Sequence, residues 1–340
     1  MYSSLVVLKQ KYLGLIQEKN RTPLGQALFL VLVGLSGIFW ILVKARGLFY
    51  EKEVCKTYQS EKRIVSIGNI SWGGTGKTSL TLYLYKTLQV PVRACIITKG
   101  YAKDEYALIR RSTKSVYDSR NRIRMIRRLE KEYDLFLLDD AFQYRGLARD
   151  LDIVLINKQE IITRPRLIPA GPLREPFSSL KRADIVIVSY CSKEDLAGIS
   201  PRIARINKNA AVFAADYKVT GLLDHNLKRV PQEYLKGKKL GVLTAIGYPQ
   251  GFLDKIHGIS YEPSRVSVYP DHYEFSGEHL REIEREFLKD GIENVLITYK
   301  DYYHTDFSRK RLNYFIVQVE LIIHDEEKFL EVVHNRIRSL

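Results

Sequence analysis

The feature that most constrains this chain is a glycine loop set between an apolar strand and a helix. Arg63-Ile64-Val65-Ser66-Ile67 reads as a short buried strand. Gly68-Asn69-Ile70-Ser71-Trp72-Gly73-Gly74-Thr75-Gly76-Lys77-Thr78 follows, and Thr78 to Leu88 reads as a helix with Leu80, Leu82, Leu84, Tyr85 and Leu88 available to pack. Strand, glycine loop, Gly-Lys-Thr and helix are the context a phosphate-binding loop requires. Glycines let backbone N–H groups curl around phosphate oxygens, and the helix N-terminus adds partial positive charge. Residues Ser71, Trp72, Gly73, Gly74, Thr75, Gly76, Lys77, Thr78 and Ser79 are therefore the candidate nucleotide-binding set. Lys77 would reach the β- and γ-phosphates, and the Thr78 hydroxyl would ligate Mg²⁺. Ser71 stands where the usual pattern has its first glycine.

A second motif supports the first. Tyr133-Asp134-Leu135-Phe136-Leu137-Leu138 runs into Asp139-Asp140. An apolar strand ending in acid supplies the carboxylate that holds Mg²⁺ directly or through water. Together the two motifs point to a protein that hydrolyses a nucleoside triphosphate or transfers its phosphoryl group.

From Thr22 to Val43 no residue is charged, and Ala27 to Val43 is nearly all apolar. That is about the ~20 residues one membrane span needs. A buried core helix and a cleaved signal are the competing readings. A signal fits poorly, because the stretch starts late and is followed by Lys44 and Arg46 rather than by a small-residue cleavage site. A membrane anchor, spanning or lying deep in the interface, is expected. Basic residues flank both sides, so they set no orientation.

Charge agrees with an anionic partner without choosing one. The chain of 340 residues carries 54 basic and 39 acidic side chains, a net charge of +15. Such a balance attracts nucleic acid, anionic lipid or phosphorylated substrates. No aromatic-rich or zinc module accompanies the charges, so no nucleic-acid partner is expected. Hydrophobic residues at 45% exclude a disordered or collagen-like chain. Cys55, Cys95 and Cys191 are far apart, which argues against a disulfide framework or a cysteine zinc site.

Three phosphate-loop classes compete. A membrane-targeted ATPase of the partition or positioning type would carry K-G-G-x-G-K-[ST], but Trp72 takes the place of its signature lysine. A GTPase would use Asn157-Lys158-Gln159-Glu160 as its guanine-reading N-K-x-D, but the last position is Glu and no D-x-x-G follows the acidic strand. The third class is a kinase for a membrane-embedded substrate.

The order of further blocks resembles one family, the tetraacyldisaccharide 4′-kinases (lipid A 4′-kinases). Gly68 to Thr78 resembles the family's G-N-[LI]-[ST]-x-G-G-T-G-K-T, and Asp139-Asp140-Ala141-Phe142-Gln143-Tyr144 resembles its D-D-G-F-Q-H. Leu167-Ile168-Pro169-Ala170-Gly171-Pro172-Leu173-Arg174-Glu175-Pro176 is similar to L-P-A-G-x-L-R-E-P. Thr244-Ala245-Ile246-Gly247-Tyr248-Pro249 is similar to A-x-I-G-N-P, Tyr269-Pro270-Asp271-His272-Tyr273 to F-P-D-H-H, and Thr298-Tyr299-Lys300-Asp301 to T-E-K-D. Tyr144, Ala141 and Tyr299 replace a family histidine, glycine and glutamate. The block at Thr98-Lys99-Gly100-Tyr101-Ala102 lacks the usual insertion before Lys103-Asp104-Glu105.

The resemblance implies transfer of the γ-phosphoryl of ATP to the 4′-hydroxyl of a tetraacyldisaccharide 1-phosphate, giving lipid IVA in lipid A biosynthesis. It implies ATP and Mg²⁺, with Thr78, Asp139, Asp140 and Glu175 placing the metal. It implies an Asp–His base, which by motif position is Asp104 with His272, acting beside Lys77. Arg174 and Asn69 are candidates for contacting substrate. The implied partners are the acylated glucosamine disaccharide 1-phosphate and lipid of the bacterial inner membrane, with the catalytic domains on its cytoplasmic face and no obligate protein partner. The basic stretch Arg110 to Lys131 reads as an amphipathic helix capped by Asp118 or Ser119, facing either solvent or anionic groups.

The expected fold is α/β: a phosphate-loop NTPase-like domain with a mostly parallel sheet, a second smaller α/β domain and the N-terminal membrane-associated helix. Strands are expected near 63–67, 93–98, 133–139, 151–156, 183–190 and 210–216, then near 239–246, 293–298 and 313–323, with a closing helix over Asp325–Leu340. The expected division is residues 1–50 anchor, 51–220 kinase core and 221–340 smaller domain. With Asp104 and Asp139 in the first domain and His272 in the second, the site is expected in a cleft that closes on substrate.

Overall fold

A computed structural model describes residues 12, 14–16, 22–88, 92–99 and 103–338. The chain packs as two compact units, residues 1–100, 113–216 and 323–340 in the first and residues 101–112 and 217–322 in the second.

The first unit opens with helix α1 (Pro23–Glu51), started by Pro23 and by the Thr22 hydroxyl, which accepts from Gly25 N at 3.2 Å. Strand β1 (Arg63–Asn69) leads through the glycine loop into α2 (Lys77–Leu88) and then β2 (Ala94–Thr98). Helix α3 (Lys103–Ser112) belongs to the second unit. The chain returns with β3 (Val116–Asp118), α4 (Arg122–Leu129), β4 (Leu135–Asp139), β5 (Leu151–Asn157), α5 (Lys158–Thr163), β6 (Ile185–Ser189), α6 (Lys193–Ala204) and β7 (Ala211–Asp224). The sheet order is β7-β6-β5-β1-β4-β2-β3 and every pairing is parallel. Both faces are covered, so its strands read as continuous apolar runs rather than alternating ones. Val154, Ile156, Val186 and Val188 point to one core with Ile70 and Phe142. Ile64, Ile97, Phe136 and Leu138 point to the other with Ile126 and Leu129.

The second unit carries β8 (Arg229–Val230) antiparallel to the end of β7, then β9 (Leu240–Thr244), α7 (Pro249–Gly258), β10 (Pro263–Val268), α8 (Gly277–Lys289), β11 (Asn294–Ile297), α9 (Tyr299–Tyr303) and β12 (Asn313–Ile323). Its parallel strands run β10-β9-β11-β12.

Three expectations shift. The closing helix, α10 (Glu326–Arg338), packs on the first unit: Phe329 is fully buried, with its ring 5.4 Å from that of Phe213, and Tyr83 Oη donates to Glu326 at 2.5 Å. The Arg110–Lys131 stretch is not one helix. It holds the end of α3, strand β3 with Asp118 in it, and α4, whose cap is Asn121, accepting from Arg124 N at 3.0 Å. Residues 101–112 leave the first unit for the second, where α3 packs against α9 and Arg111 lies over the Tyr299 ring at 5.5 Å.

Candidate active site

The parallel sheet of the first unit brings the C-terminal ends of β1 and β4 side by side, with Ile67 opposite Asp139. This is where an open α/β sheet places its ligands. Beyond β1 the loop turns through Gly73, Gly74 and Gly76 at φ of +52°, +60° and +89°, which side chains with a Cβ rarely adopt. Gly68 answers a different need. A Cβ there would lie 2.6 Å from Cβ of Phe142, because the Asp139–Tyr144 segment crosses β1 at that point.

Asp140 follows β4 in a left-handed conformation, φ +49°. Its carboxylate lies 3.7 Å from Lys77 Nζ and accepts from both terminal nitrogens of Arg174, at 2.8 and 3.1 Å. Burial opposes its ionisation, yet the Lys77 ammonium and the Arg174 guanidinium together hold its carboxyl well below the usual carboxylate range. Arg174 also donates from Nε to Ser71 O at 2.9 Å and from Nη2 to Asn69 Oδ1. Asn69 passes the order on, its Nδ2 donating to Thr75 Oγ1 at 2.9 Å. Arg174 and Asn69 thus bind the loop to the acidic motif. Trp72 N donates to Pro172 O at 2.9 Å while its side chain remains half exposed. Asp139 is buried, with Thr81 Oγ1 3.1 Å from Oδ1.

The donor set suits Mg²⁺. Thr78, Asp139 and Asp140 offer hard oxygens, and Mg²⁺ is commonly held by one or two carboxylates plus substrate phosphates rather than by an all-protein cage. Among the described residues no group of three or more acidic, His or Cys side chains is placed to hold a metal ion by itself. The Glu175 carboxylate pairs with Arg182 at 2.8 Å, and Arg182 lies 4.3 Å over the Phe142 ring.

Two arginines hold this centre from below. Arg122 is 2% exposed, and its Nη2 donates to Asp139 O and, at 3.1 Å, to Asp140 O. Its guanidinium lies 5.4 Å over the ring of Tyr144, the residue standing in for a histidine. Arg149 Nη2 sits 3.0–3.1 Å from the carbonyls of Ala141, Phe142 and Tyr144. The basic run from Arg110 to Lys131 suggests an exposed place for Arg122. The signal against that was its phase, for Arg122, Ile126 and Leu129 fall on one helical face and all three are buried. Asn157-Lys158-Gln159-Glu160 is a helix start: the Asn157 side chain accepts from Gln159 N at 2.8 Å and Glu160 returns to Asn157 N at 3.3 Å.

In the second unit, Asp104 falls in the first turn of α3, and its side chain lies outside the described residues. His272 takes φ +61°, with its N–H donating to Ala245 O at 3.1 Å and its Nε2 3.6 Å from Asp271 Oδ2. The expectation divided Asp104 and His272 between domains; both belong to this unit, because α3 packs here. The Thr298–Asp301 block is structural, its Asp301 fully buried, capping α9 and accepting from Ala245 N at 2.6 Å. It thereby fixes the segment from which His272 hangs.

Helix α1 is 29 residues long with a mean hydropathy of 2.3 over its most apolar window, long and apolar enough to cross or anchor to a membrane. One face docks on the first unit. Ser36 Oγ donates to Leu167 O at 2.9 Å, Phe39 packs on the core, and Lys44 Nζ donates to Ser178 Oγ at 3.0 Å. The other face leaves Leu28, Leu30, Val31, Leu35, Ile38, Trp40, Ile41 and Leu42 exposed.

Residues 28–338 match the family model LpxK, tetraacyldisaccharide-1-P 4′-kinase. The chain is 29% identical over 350 residues to the tetraacyldisaccharide 4′-kinase of Halothermothrix orenii, covering 91% of each. It is 30% identical over 310 residues to that of Anaeromyxobacter sp. (strain K), covering 82% of each. The crystal structure of LpxK from Aquifex aeolicus in complex with ATP superposes at a TM-score of 0.68, with 26% identity, covering 91% of this chain and 99% of that one.

Proposed function

Because this chain belongs to the tetraacyldisaccharide-1-P 4′-kinase family, and is therefore a kinase of lipid A biosynthesis, we propose how its own residues carry that reaction. The observation that carries the proposal is the single network joining Lys77, Asp140, Arg174 and Asn69 at the phosphate loop. The partition-type ATPase reading is set aside by the family match.

The acceptor is the 4′-hydroxyl of an acylated glucosamine disaccharide 1-phosphate, and the donor is ATP. Catalysis of this class is mostly positioning and charge neutralisation. The loop amides from Gly73 to Thr78 and the Lys77 ammonium hold the β- and γ-phosphates. Thr78, Asp139 and Asp140 would hold Mg²⁺, which when bound neutralises charge on the transferring group. Glu175, paired with Arg182 as Asp140 is with Arg174, would join them. Arg174 clamps Asp140 so that its carboxylate stays ionised and fixed. A sugar hydroxyl is a poor nucleophile, and Asp104 with His272 takes its proton.

Helix α1 supports anchoring in the interface rather than a span. From Ser36 to Gly47 it is bonded along the protein, and the stretch before that, Pro23 to Leu35, is shorter than the ~20 residues a span needs. Its exposed face then enters one leaflet, which is the cytoplasmic face of the inner membrane, where ATP is present.

The test is transfer from γ-labelled ATP, with Mg²⁺ and detergent, to tetraacyldisaccharide 1-phosphate. Labelled lipid that disappears in Lys77→Ala and Asp104→Ala is expected. ATP hydrolysis without labelled lipid would sink the proposal.

A further inference from the structure

The anchor helix is bonded to the phosphate loop through a short chain of side chains. Arg46, on the docked side of α1, donates from Nη2 to the Gln143 carbonyl at 2.9 Å. Gln143 Nε2 donates to Asn69 O at 2.8 Å, and Asn69 Nδ2 donates to Thr75 Oγ1 at 2.9 Å inside the glycine loop. A second bond runs the opposite way, with Arg145 Nη1 donating to Gly47 O at 3.1 Å. Both guanidinium groups face the ring of Tyr50, at 5.8 Å for Arg46 and 5.0 Å for Arg145. The helix and the Gln143–Arg145 segment thus grip each other by reciprocal arginine-to-carbonyl bonds on either side of one aromatic ring. An anchor needs only apolar area to hold a membrane. A reciprocal grip on the segment that carries Asp139 and Asp140 serves another purpose.

We infer that Arg46, seconded by Arg145, is a positioning residue: through Gln143 and Asn69 it sets the conformation of the phosphate loop, so that seating of the anchor helix and readiness of the nucleotide site are one equilibrium. Charge-assisted bonds to a carbonyl hold direction as well as distance. Releasing Gln143 O frees the side chain that bonds Asn69 O, and Asn69 in turn orders Thr75. The inference rests on the reading of this loop as the ATP site.

The experiment uses the full chain in detergent micelles and measures the Kd of a fluorescent ATP analogue, with melting temperature and vesicle pelleting alongside. Arg46→Gln is expected to weaken nucleotide binding about threefold, and Arg46→Gln with Arg145→Gln about tenfold, given exposed but charge-assisted bonds. Vesicle pelleting stays at the wild-type level. Arg46→Lys, which can still reach the carbonyl, restores most of the loss and serves as the comparison if the double variant does not fold. In an Asn69→Ala background Arg46→Gln adds little, because the path is already cut. Unchanged nucleotide affinity in the double variant, or full additivity with Asn69→Ala, overturns the inference. A wild-type chain that binds no nucleotide, or whose binding is indifferent to Lys77→Ala, fails the ATP-site reading itself.

Discussion

Replacing Arg174 by lysine keeps the charge and removes the geometry. The guanidinium makes four bonds, two to Asp140 at 2.8 and 3.1 Å, one to Ser71 O at 2.9 Å and one to Asn69 Oδ1. A lysine ammonium is a point charge and cannot reproduce a planar fork gripping both carboxylate oxygens. Bonds involving a charged partner are worth about 1.5–3 kcal/mol each when buried. Arg174 and Asp140 are 22% and 33% exposed, so solvent screens part of that. Losing two or three of the four is then worth about 2–4 kcal/mol of site organisation. At 1.36 kcal/mol per tenfold, kcat/KM for ATP falls by about 30- to 1,000-fold. The assay is steady-state lipid phosphorylation with ATP varied at saturating lipid. Arg174→Lys and Asp140→Asn should be strongly non-additive, since each removes the same clamp. A loss of less than about threefold in a folded Arg174→Lys enzyme would show that the network is incidental to turnover.

Further outcomes follow from the same contacts. Because Asp140 titrates below the ordinary carboxylate range, its ion pairs contribute stability that is complete above about pH 4 and lost as pH falls through the lower folded value. The stability gap between wild type and Arg174→Met in urea titrations should therefore narrow below about pH 4. Arg122→Met strips the donors from the buried carbonyls of Asp139 and Asp140, at a cost of about 1–3 kcal/mol per unpaired group, and a fall in the urea midpoint together with lost activity is expected. Phe329→Ala should cost about 3–5 kcal/mol in chemical denaturation, because this ring is fully buried against Phe213; a loss under about 1 kcal/mol would deny α10 its place on the first unit. Leu30→Ser, Leu35→Ser and Ile38→Ser lie on the exposed face of α1; each should lower partition into vesicles about tenfold, from ~1.5 kcal/mol or more of apolar burial per side chain, with the fold unchanged.

What the sequence made legible was local. The glycine loop and the Asp139-Asp140 pair are each legible because each is a short run of neighbouring residues, and the parallel register of β1 with β4 brings the two runs side by side. Partners supplied from a distance were illegible. Arg174 could be named as a substrate candidate from its motif, but nothing in the chain order says that its fork closes on Asp140 and Asn69. Asn157 to Glu160 resembles a guanine reader in one dimension and is a capping box in three. Asp104 lies between two strands of the first unit, and only the packing of α3 on α9, with Arg111 over Tyr299, assigns it to the second.

Arg122 marks the boundary between the two kinds of information. Its charge argued for the surface, while its phase with Ile126 and Leu129 argued for the core. The phase prevailed because the buried guanidinium donates to the main-chain carbonyls of Asp139 and Asp140 at the end of β4, which no apolar side chain could do. Burial lowers the pKa of that guanidinium, and the nearby carboxylates of Asp140 and Asp139 oppose the shift. Arginine is the cation that stays charged under such desolvation, so its place there is not open to lysine. The acidic pair is therefore pinned through its main chain by Arg122, while Lys77 and Arg174 hold the Asp140 carboxylate and Thr81 donates to that of Asp139. On the proposed function, a nucleotide entering this loop would meet carboxylates already oriented, and its binding energy would not be diverted into ordering them.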